Sequence, residues 1–179
     1  VQNILNGTLD IFNPNTILTS SQIASVSEIL SDMMSFSSTY DCSGLTNFTQ
    51  DLLSKTQVYL QKIAQSSLAD QITNQNATII DTQNIDIYLQ KLSICTLNNK
   101  VISAGPSSPQ ITITVNSDVA GNCSYVVNLE YYPFNDNLLN CSSEISSNNS
   151  KSTLGIQVTD PATGQKNPIN MSVSINYGS

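Results

Sequence analysis

Two pairs of carboxylates lie close enough in the sequence to act together. Glu28 and Asp32 stand four residues apart, which places both on one face of a helix. Asp81 and Asp86 flank the start of what reads as a strand. A glycosidase needs two carboxyl groups at a set separation across a cleft. Neither pair reads as that: Glu28 and Asp32 fit a solvated helix surface, and Asp81 and Asp86 fit turn chemistry. Oxygen ligands for calcium are available from Asn135-Asp136-Asn137 together with Asp118 and Asp160. No EF-hand loop pattern accompanies them, and Asn and Asp at such positions ordinarily form turns. No metal and no cofactor is therefore expected.

Nucleophilic chemistry lacks its partners. The chain has no His, so it holds no Ser-His-Asp triad, no Cys-His dyad and no imidazole metal site. No Gly-x-Ser-x-Gly, Ser-x-x-Lys or P-loop spacing occurs. The six basic residues are all Lys, so no bidentate guanidinium clamp is available for phosphate. A formal charge of −7 argues against nucleic-acid binding. Tyr125 and Tyr131-Tyr132 could form an aromatic contact patch, but strand packing is the expected role. No catalytic residue is assigned, and the chain is expected not to be an enzyme.

The acceptor pattern for N-glycosylation occurs at Asn6, Asn47, Asn76, Asn122, Asn140, Asn148 and Asn170. Chance placement would give about five such sites in a chain this rich in Asn, Ser and Thr. The composition itself, with 21 Asn, 27 Ser, 16 Thr and 13 Gln, is the stronger signal. It suits an extracellular or cell-surface chain carrying N-linked glycans. Cys42, Cys95, Cys123 and Cys141 form an even set without a CxxC pair, which reads as disulfides. Of the three possible pairings, Cys42–Cys95 with Cys123–Cys141 is favoured. The first would tie the helical half to the following strand, and the second would close an ~18-residue loop worth roughly 3 kcal/mol. No apolar run approaches the ~20 residues a spanning helix needs, so no membrane insertion is expected. The chain begins at Val1 without a basic and then apolar leader, and is expected to be a processed product or a piece of a longer protein.

The elements follow from periodicity. Leu5, Leu9 and Ile11 suggest an N-terminal strand or arm within residues 1–18, broken at Asn13-Pro14-Asn15. Thr19-Ser20-Ser21-Gln22 is a capping box, followed by Ile23, Val26, Leu30 and Met33 at helical spacing. The serine-rich stretch from Ser35 to Thr39 is expected to end that helix. A second helix starts near Thr46 and carries Phe48, Leu52, Leu60, Ile63 and Leu68. The period then changes to two. Ile85, Ile87 and Leu89 predict a half-buried strand, followed by Ile111, Ile113 and Val115, then Tyr125, Val127, Leu129 and Tyr131. Leu154, Ile156 and Val158 are joined through Asp160-Pro161-Ala162-Thr163-Gly164 to Ile169, Met171, Val173 and Ile175, which predicts a hairpin with Asn170 on its outer face. Helices first and about six strands after argue for an α+β fold, two N-terminal helices followed by an antiparallel β-sandwich. The division is an arm over 1–18, a helical subdomain over 19–76 and a β-sandwich subdomain over 77–179.

Thr82-Gln83-Asn84-Ile85-Asp86-Ile87-Tyr88-Leu89-Gln90-Lys91-Leu92 resembles the first sandwich strand after the helices of the GAIN domain. That domain is the extracellular module of adhesion receptors and polycystin-like proteins. Leu154 to Asp160, Gly164 and Ile169 to Val173 resemble the strand pair before the family's cleavage motif. The resemblance covers residues 19–177 and implies a helical unit joined to a β-sandwich in a large surface protein. The family's motif, with its Cys pairs, Trp and His-Leu-Thr/Ser site, is absent, since the chain has neither His nor Trp. Self-cleavage is therefore not expected.

Two functions compete. The first is a non-enzymatic, N-glycosylated extracellular structural protein, a subunit of a surface filament or coat assembled by strand or edge contacts through the arm over Val1 to Phe12. The alternative is a GAIN-like ectodomain module of a large cell-surface receptor or adhesin. Expected partners are copies of itself or other surface proteins.

Overall fold

The computed structural model of the protein describes residues 17–38, 46–106, 108–116, 123–133, 153–169 and 171–177. The expected N-terminal strand or arm and the Asn13-Pro14-Asn15 break lie outside them.

Helix α1 spans Ser20–Ser38 and begins where the capping box places it. The Thr19 amide donates to Gln22 Oε1 at 2.9 Å, and the Gln22 amide donates to Thr19 Oγ1 at 3.4 Å. Two amides that lack intrahelical partners are thereby satisfied reciprocally. Ile23, Val26 and Leu30 are buried as expected, but the fourth member of the stripe is Met34 rather than Met33. Ser27 and Ser31 are buried beside them. The Ser27 hydroxyl is satisfied within the helix, donating to the Ile23 carbonyl at 2.8 Å. The helix does not stop at Ser35. Asn84, from a distant turn, donates from Nδ2 to the Ser31 carbonyl at 2.9 Å and also to Ser35 Oγ, so tertiary contacts override weak local propensity.

Helix α2 spans Thr46–Asp70. Leu60, Ile63, Ala64 and Leu68 are buried, while the side chains of Phe48 and Leu52 lie outside the described residues. Ser66 Oγ accepts the Leu18 amide at 3.0 Å and ties the approach to α1 onto α2.

The strands are β1 (Thr78–Asp81), β2 (Asp86–Ser93), β3 (Lys100–Ile102), β4 (Ile111–Val115), β5 (Val126–Tyr132), β6 (Thr153–Thr159) and β7 (Val173–Tyr177). They form a four-stranded sheet in the order β1-β2-β5-β6 and a three-stranded sheet in the order β3-β4-β7. All pairings are antiparallel. The fold is α+β, with two helices followed by antiparallel sheets. The two shortest strands, β1 and β3, are too brief to register as alternation.

Two cores divide the described residues. One joins Ile23, Val26, Leu30, Ile63 and Leu68 of the helices to Ile80, Ile85, Ile87 and Leu89. The other joins Tyr88, Leu92, Val127, Leu129 and Tyr131 to Ile102, Ile111, Ile113 and Val115 of the smaller sheet. The layers are therefore helices, sheet, sheet. The helices of residues 19–76 and the strands that follow share a core. Strand β2 is not half-buried as its alternation suggests. Ile87, Tyr88, Leu89 and Gln90 are all buried, because the helices cover one face and the second sheet covers the other.

Two expectations are corrected. Residues 154–158 and 169–175 do not form a hairpin. The turn closes, with the Gly164 amide donating to the Asp160 carbonyl at 2.7 Å and Gly164 at φ 71°. Beyond it only a single bridge, Thr159 to Lys166, extends the pairing. The chain then crosses sheets: β6 pairs with β5 through Leu129 and Ile156, and β7 pairs with β4 through Ile113 and Ile175. Pro168 follows Asn167 at the crossing, has no N–H to donate and cannot extend a ladder.

Neither favoured disulfide forms. Cys95 is bonded to Cys123, with Cα atoms 5.0 Å apart. The bond joins the turn after β2 to the approach to β5, where the Ile94 amide already donates to the Tyr125 carbonyl and Ser93 Oγ to the Cys123 carbonyl. Pairing of β2 with β5 thus places Cys95 beside Cys123. Cys42 and Cys141 lie outside the described residues.

Peptide mapping without reduction is expected to recover Cys95 linked to Cys123. A Cys42–Cys95 peptide would contradict the fold. Replacing both Cys95 and Cys123 by Ser opens a crosslink with a sequence separation of 28. It is expected to lower unfolding free energy in urea by about 3.5 kcal/mol.

Candidate functional site

One stripe of α1 (Ser20, Ile23, Ala24, Ser27 and Glu28) faces Ser67, Asp70 and Gln71 at the end of α2 across a cavity of about 400 Å³. Residues from Thr78 to Thr82, on and beside β1, complete the wall. The spacings follow from helical geometry: residues three and four apart share a face. Gln71 fixes the corner. Its Nε2 donates to Thr78 Oγ1 at 2.8 Å and to the Leu89 carbonyl at 3.1 Å, and its Oε1 accepts the Lys91 amide at 2.8 Å.

Three carboxylates, Glu28, Asp70 and Asp81, line the cavity, and among the described residues no lysine does. Asp70 closes α2, where the helix dipole is already negative and no basic residue occupies the last turn. Ser67 is buried, and its Oγ is the one buried side-chain oxygen or nitrogen among the described residues without a hydrogen-bond partner.

Asp81 and Asp86 are brought together more closely than turn chemistry requires. They are directly opposed across β1 and β2. Burial pushes the Asp86 carboxyl up to about 6, with the Asp81 charge and a hydrogen bond to the Asp81 carboxyl adding to the effect. Such a bond needs one proton, held on Asp86. Gly105 leaves room for this arrangement: a Cβ there would sit 2.8 Å from Asp81 Oδ2. Sequence reading misses the contact because it depends on β-register. Asp86 lies five positions after Asp81, across a tight turn in which Thr82 Oγ1 and the Ile85 carbonyl are 2.9 Å apart.

The other candidates separate. Glu28 and Asp32 are both exposed on α1, but only Glu28 reaches the cavity. Asp160 makes an Asx turn, accepting from the Ala162 amide and the Thr163 hydroxyl at 2.9 Å each. Asp118 and Asn135-Asp136-Asn137 lie outside the described residues, within which no group of three metal-ligating side chains occurs. Tyr131 and Tyr132 point to opposite faces. Tyr131 is fully buried and donates to the Pro109 carbonyl at 3.2 Å. Tyr132 donates to Glu130 Oε2, and burial with the Glu130 charge raises its phenol well above the usual range. Tyr125 is half-buried against the second core. The three make no common surface patch.

Of the seven acceptor asparagines, Asn76 is described with its side chain and is exposed, between α2 and β1. Asn47 falls in the first turn of α2. Asn6, Asn122, Asn140, Asn148 and Asn170 lie outside the described residues. Among the described residues no helix is long and apolar enough to cross a membrane.

No family model matches the chain, and neither a curated protein nor a solved structure matches it.

The Asp81–Asp86 pair sets a pH dependence. A raised carboxyl pKa means that the folded state binds more protons than the unfolded state between about pH 4 and 6. Stability therefore falls as pH rises through that window. The shift corresponds to about 3 kcal/mol at face value, reduced to about 1 kcal/mol by solvent access to the pair. Asp86→Asn is expected to be more stable than wild type by that amount at pH 7.5, with the gain gone below pH 4. Urea unfolding at both values checks this, and an unchanged gain at low pH would exclude proton sharing.

Proposed function

We propose that the chain is a non-enzymatic, N-glycosylated extracellular module of a larger GAIN-like cell-surface protein. The observation that carries this reading is the layer order. A helical pair comes first in sequence and packs on a sheet, which a second sheet backs. This is the arrangement the family resemblance implies. An oxidised cysteine pair and an exposed acceptor at Asn76 support an extracellular setting. The module's role is scaffolding and contact with other surface proteins.

A second reading, the subunit of a surface filament or coat, is favoured by one feature. Among the described residues strand β7 is an edge of its sheet, and Ile175 and Tyr177, on the side that faces inward at Ile113 and Ile111, are 39% and 64% exposed. Such an edge can accept another strand.

Light scattering on size-exclusion fractions, with negative-stain microscopy, separates the two. The module reading expects a monomer at micromolar concentration. Regular fibres would overturn it and favour the filament. Protein from a secretory host, deglycosylated enzymatically in ¹⁸O water, is expected to show conversion of Asn76 to labelled Asp. Quantitatively unmodified Asn76 would remove its glycan from the proposal.

A further inference from the structure

The helix-facing side of the larger sheet changes character beyond β2. On β1 and β2 it gives Ile80, Ile87 and Leu89 to the core shared with the helices. The rows continue across β5 and β6 as polar residues. Leu89 stands opposite Glu130, and Glu130 opposite Gly155; Lys91 stands opposite Asn128, and Asn128 opposite Gln157. Directly opposed residues share a face of the sheet. Here that face and the flank of α2 at Gln65, Leu68 and Ala69 bound a second cavity, of about 550 Å³. Lys166, past the turn that follows β6, lines its far side. We propose that this cavity binds a carboxylated sugar, its carboxylate held by the lysines and its hydroxyls by Asn128, Gln157 and Glu130. This inference goes beyond the module reading and does not depend on it.

Three observations converge. The first is a pair of amides without a structural task. Gln71 and Asn84 spend their amides on joints between layers. Asn128 and Gln157 are half-buried too, yet neither side chain has a hydrogen-bond partner among the described residues. An amide both donates and accepts, as a sugar hydroxyl does, whereas a bare anion only accepts. The second is charge. The chain carries −7 and only six lysines, but this cavity has two of them against one acid. The acid is already oriented: Glu130 Oε2 accepts from the Tyr132 hydroxyl at 3.0 Å, which leaves Oε1 to accept from a ligand hydroxyl. The third is Gly155 on the cavity wall, in the interior of β6. It does not adopt positive φ, and a Cβ there would meet nothing nearer than 3.5 Å, an ordinary contact with Glu130 Cβ. Neither backbone conformation nor packing calls for glycine. A glycine inside a strand weakens it and marks a place where a ligand comes close to the backbone. The cavity is also of the size that holds a small molecule.

Sugar carboxylates have two natural sources, the uronic acids of polysaccharides and the sialic acids of glycoprotein glycans. The test titrates the full chain by calorimetry with four probes. These are methyl β-D-glucuronide, the methyl α-glycoside of N-acetylneuraminic acid, methyl β-D-glucoside as the uncharged analogue, and acetate as the carboxylate without a sugar. At least one acidic glycoside is expected to bind, with the glucoside and acetate each weaker by about fivefold or more. Tighter binding of the glucuronide would assign a polysaccharide, and tighter binding of the sialoside a glycoprotein glycan; either supports the site. Lys91→Gln with Lys166→Gln is expected to bring the acidic glycoside down to the affinity of the glucoside. Asn128→Ala with Gln157→Ala is expected to weaken it about tenfold. Gly155→Ala separates a ligand role from a structural one. It should leave the melting temperature of the free protein unchanged or raised, yet weaken sugar binding. Acetate or the glucoside binding as tightly as the acidic glycosides, unchanged affinity in either double variant, or no heat from either acidic glycoside at about 10 mM would overturn the proposal.

Discussion

A strand buried on both faces must satisfy every backbone group inside the protein, and β2 is such a strand. Its side chains alternate between two cores, Ile87 and Leu89 toward the helices and Tyr88 and Leu92 toward the second sheet. One edge pairs with β5 along Tyr88 to Ser93. The other pairs with β1 only as far as Leu89. Beyond that point the segment after α2 takes the place of a strand. Gln71 holds the Leu89 carbonyl and the Lys91 amide, the Asn74 amide donates to the Lys91 carbonyl, and Asn74 Oδ1 accepts the Ser93 amide. Without these amides the edge of a buried strand would carry unpaired groups, each costing about 1–3 kcal/mol. The same bonds fix the end of α2 on the sheet and so set the cavity beside it.

The device recurs. Asn98 Oδ1 accepts the Val115 amide at the end of β4, and Asn167 Oδ1 accepts the Val158 amide where the chain leaves β6. Asn74, Asn99 and Asn167 adopt positive φ, which Asn tolerates better than most residues. Asn84 grips α1 through Ser31 and Ser35. In a chain without Arg or His, amide side chains supply the directed contacts between layers. The abundance of Asn and Gln, which reads in sequence as a glycosylated surface, therefore also serves the interior joints.

The acids follow a different logic. Cross-strand like charges are ordinarily unfavourable; below about pH 6 a proton on Asp86 replaces the repulsion from Asp81 with a hydrogen bond, and above it the pair costs stability. Around the corner, Glu28, Asp70 and Asp81 face a common space that no lysine lines among the described residues. All three are exposed, so solvent screens them from one another. The fold thus gathers negative charge from three elements at its helix–sheet joint.

Local chemistry determined much from the sequence alone. The capping box at Thr19 and Gln22 started α1, since its bonds span three residues. The change of period near Ile85 placed the strands after the helices, and the Asp160–Gly164 turn closed as read. These features depend on neighbours in the chain. Tertiary structure decided what depends on layers. Both-face burial of β2 could not be read from its alternation, because polar Gln90 is buried through a bond to the Gln75 carbonyl. The separation of β6 from β7 was hidden because two alternating strands look the same whether they pair with each other or face across a core. The Cys95–Cys123 bond followed from the β2–β5 register, which four cysteine positions do not encode. The cavity arose for the same reason: Glu28 lies far in sequence from Asp70 and Asp81, and only the packing of helices on the sheet sets all three around one hollow.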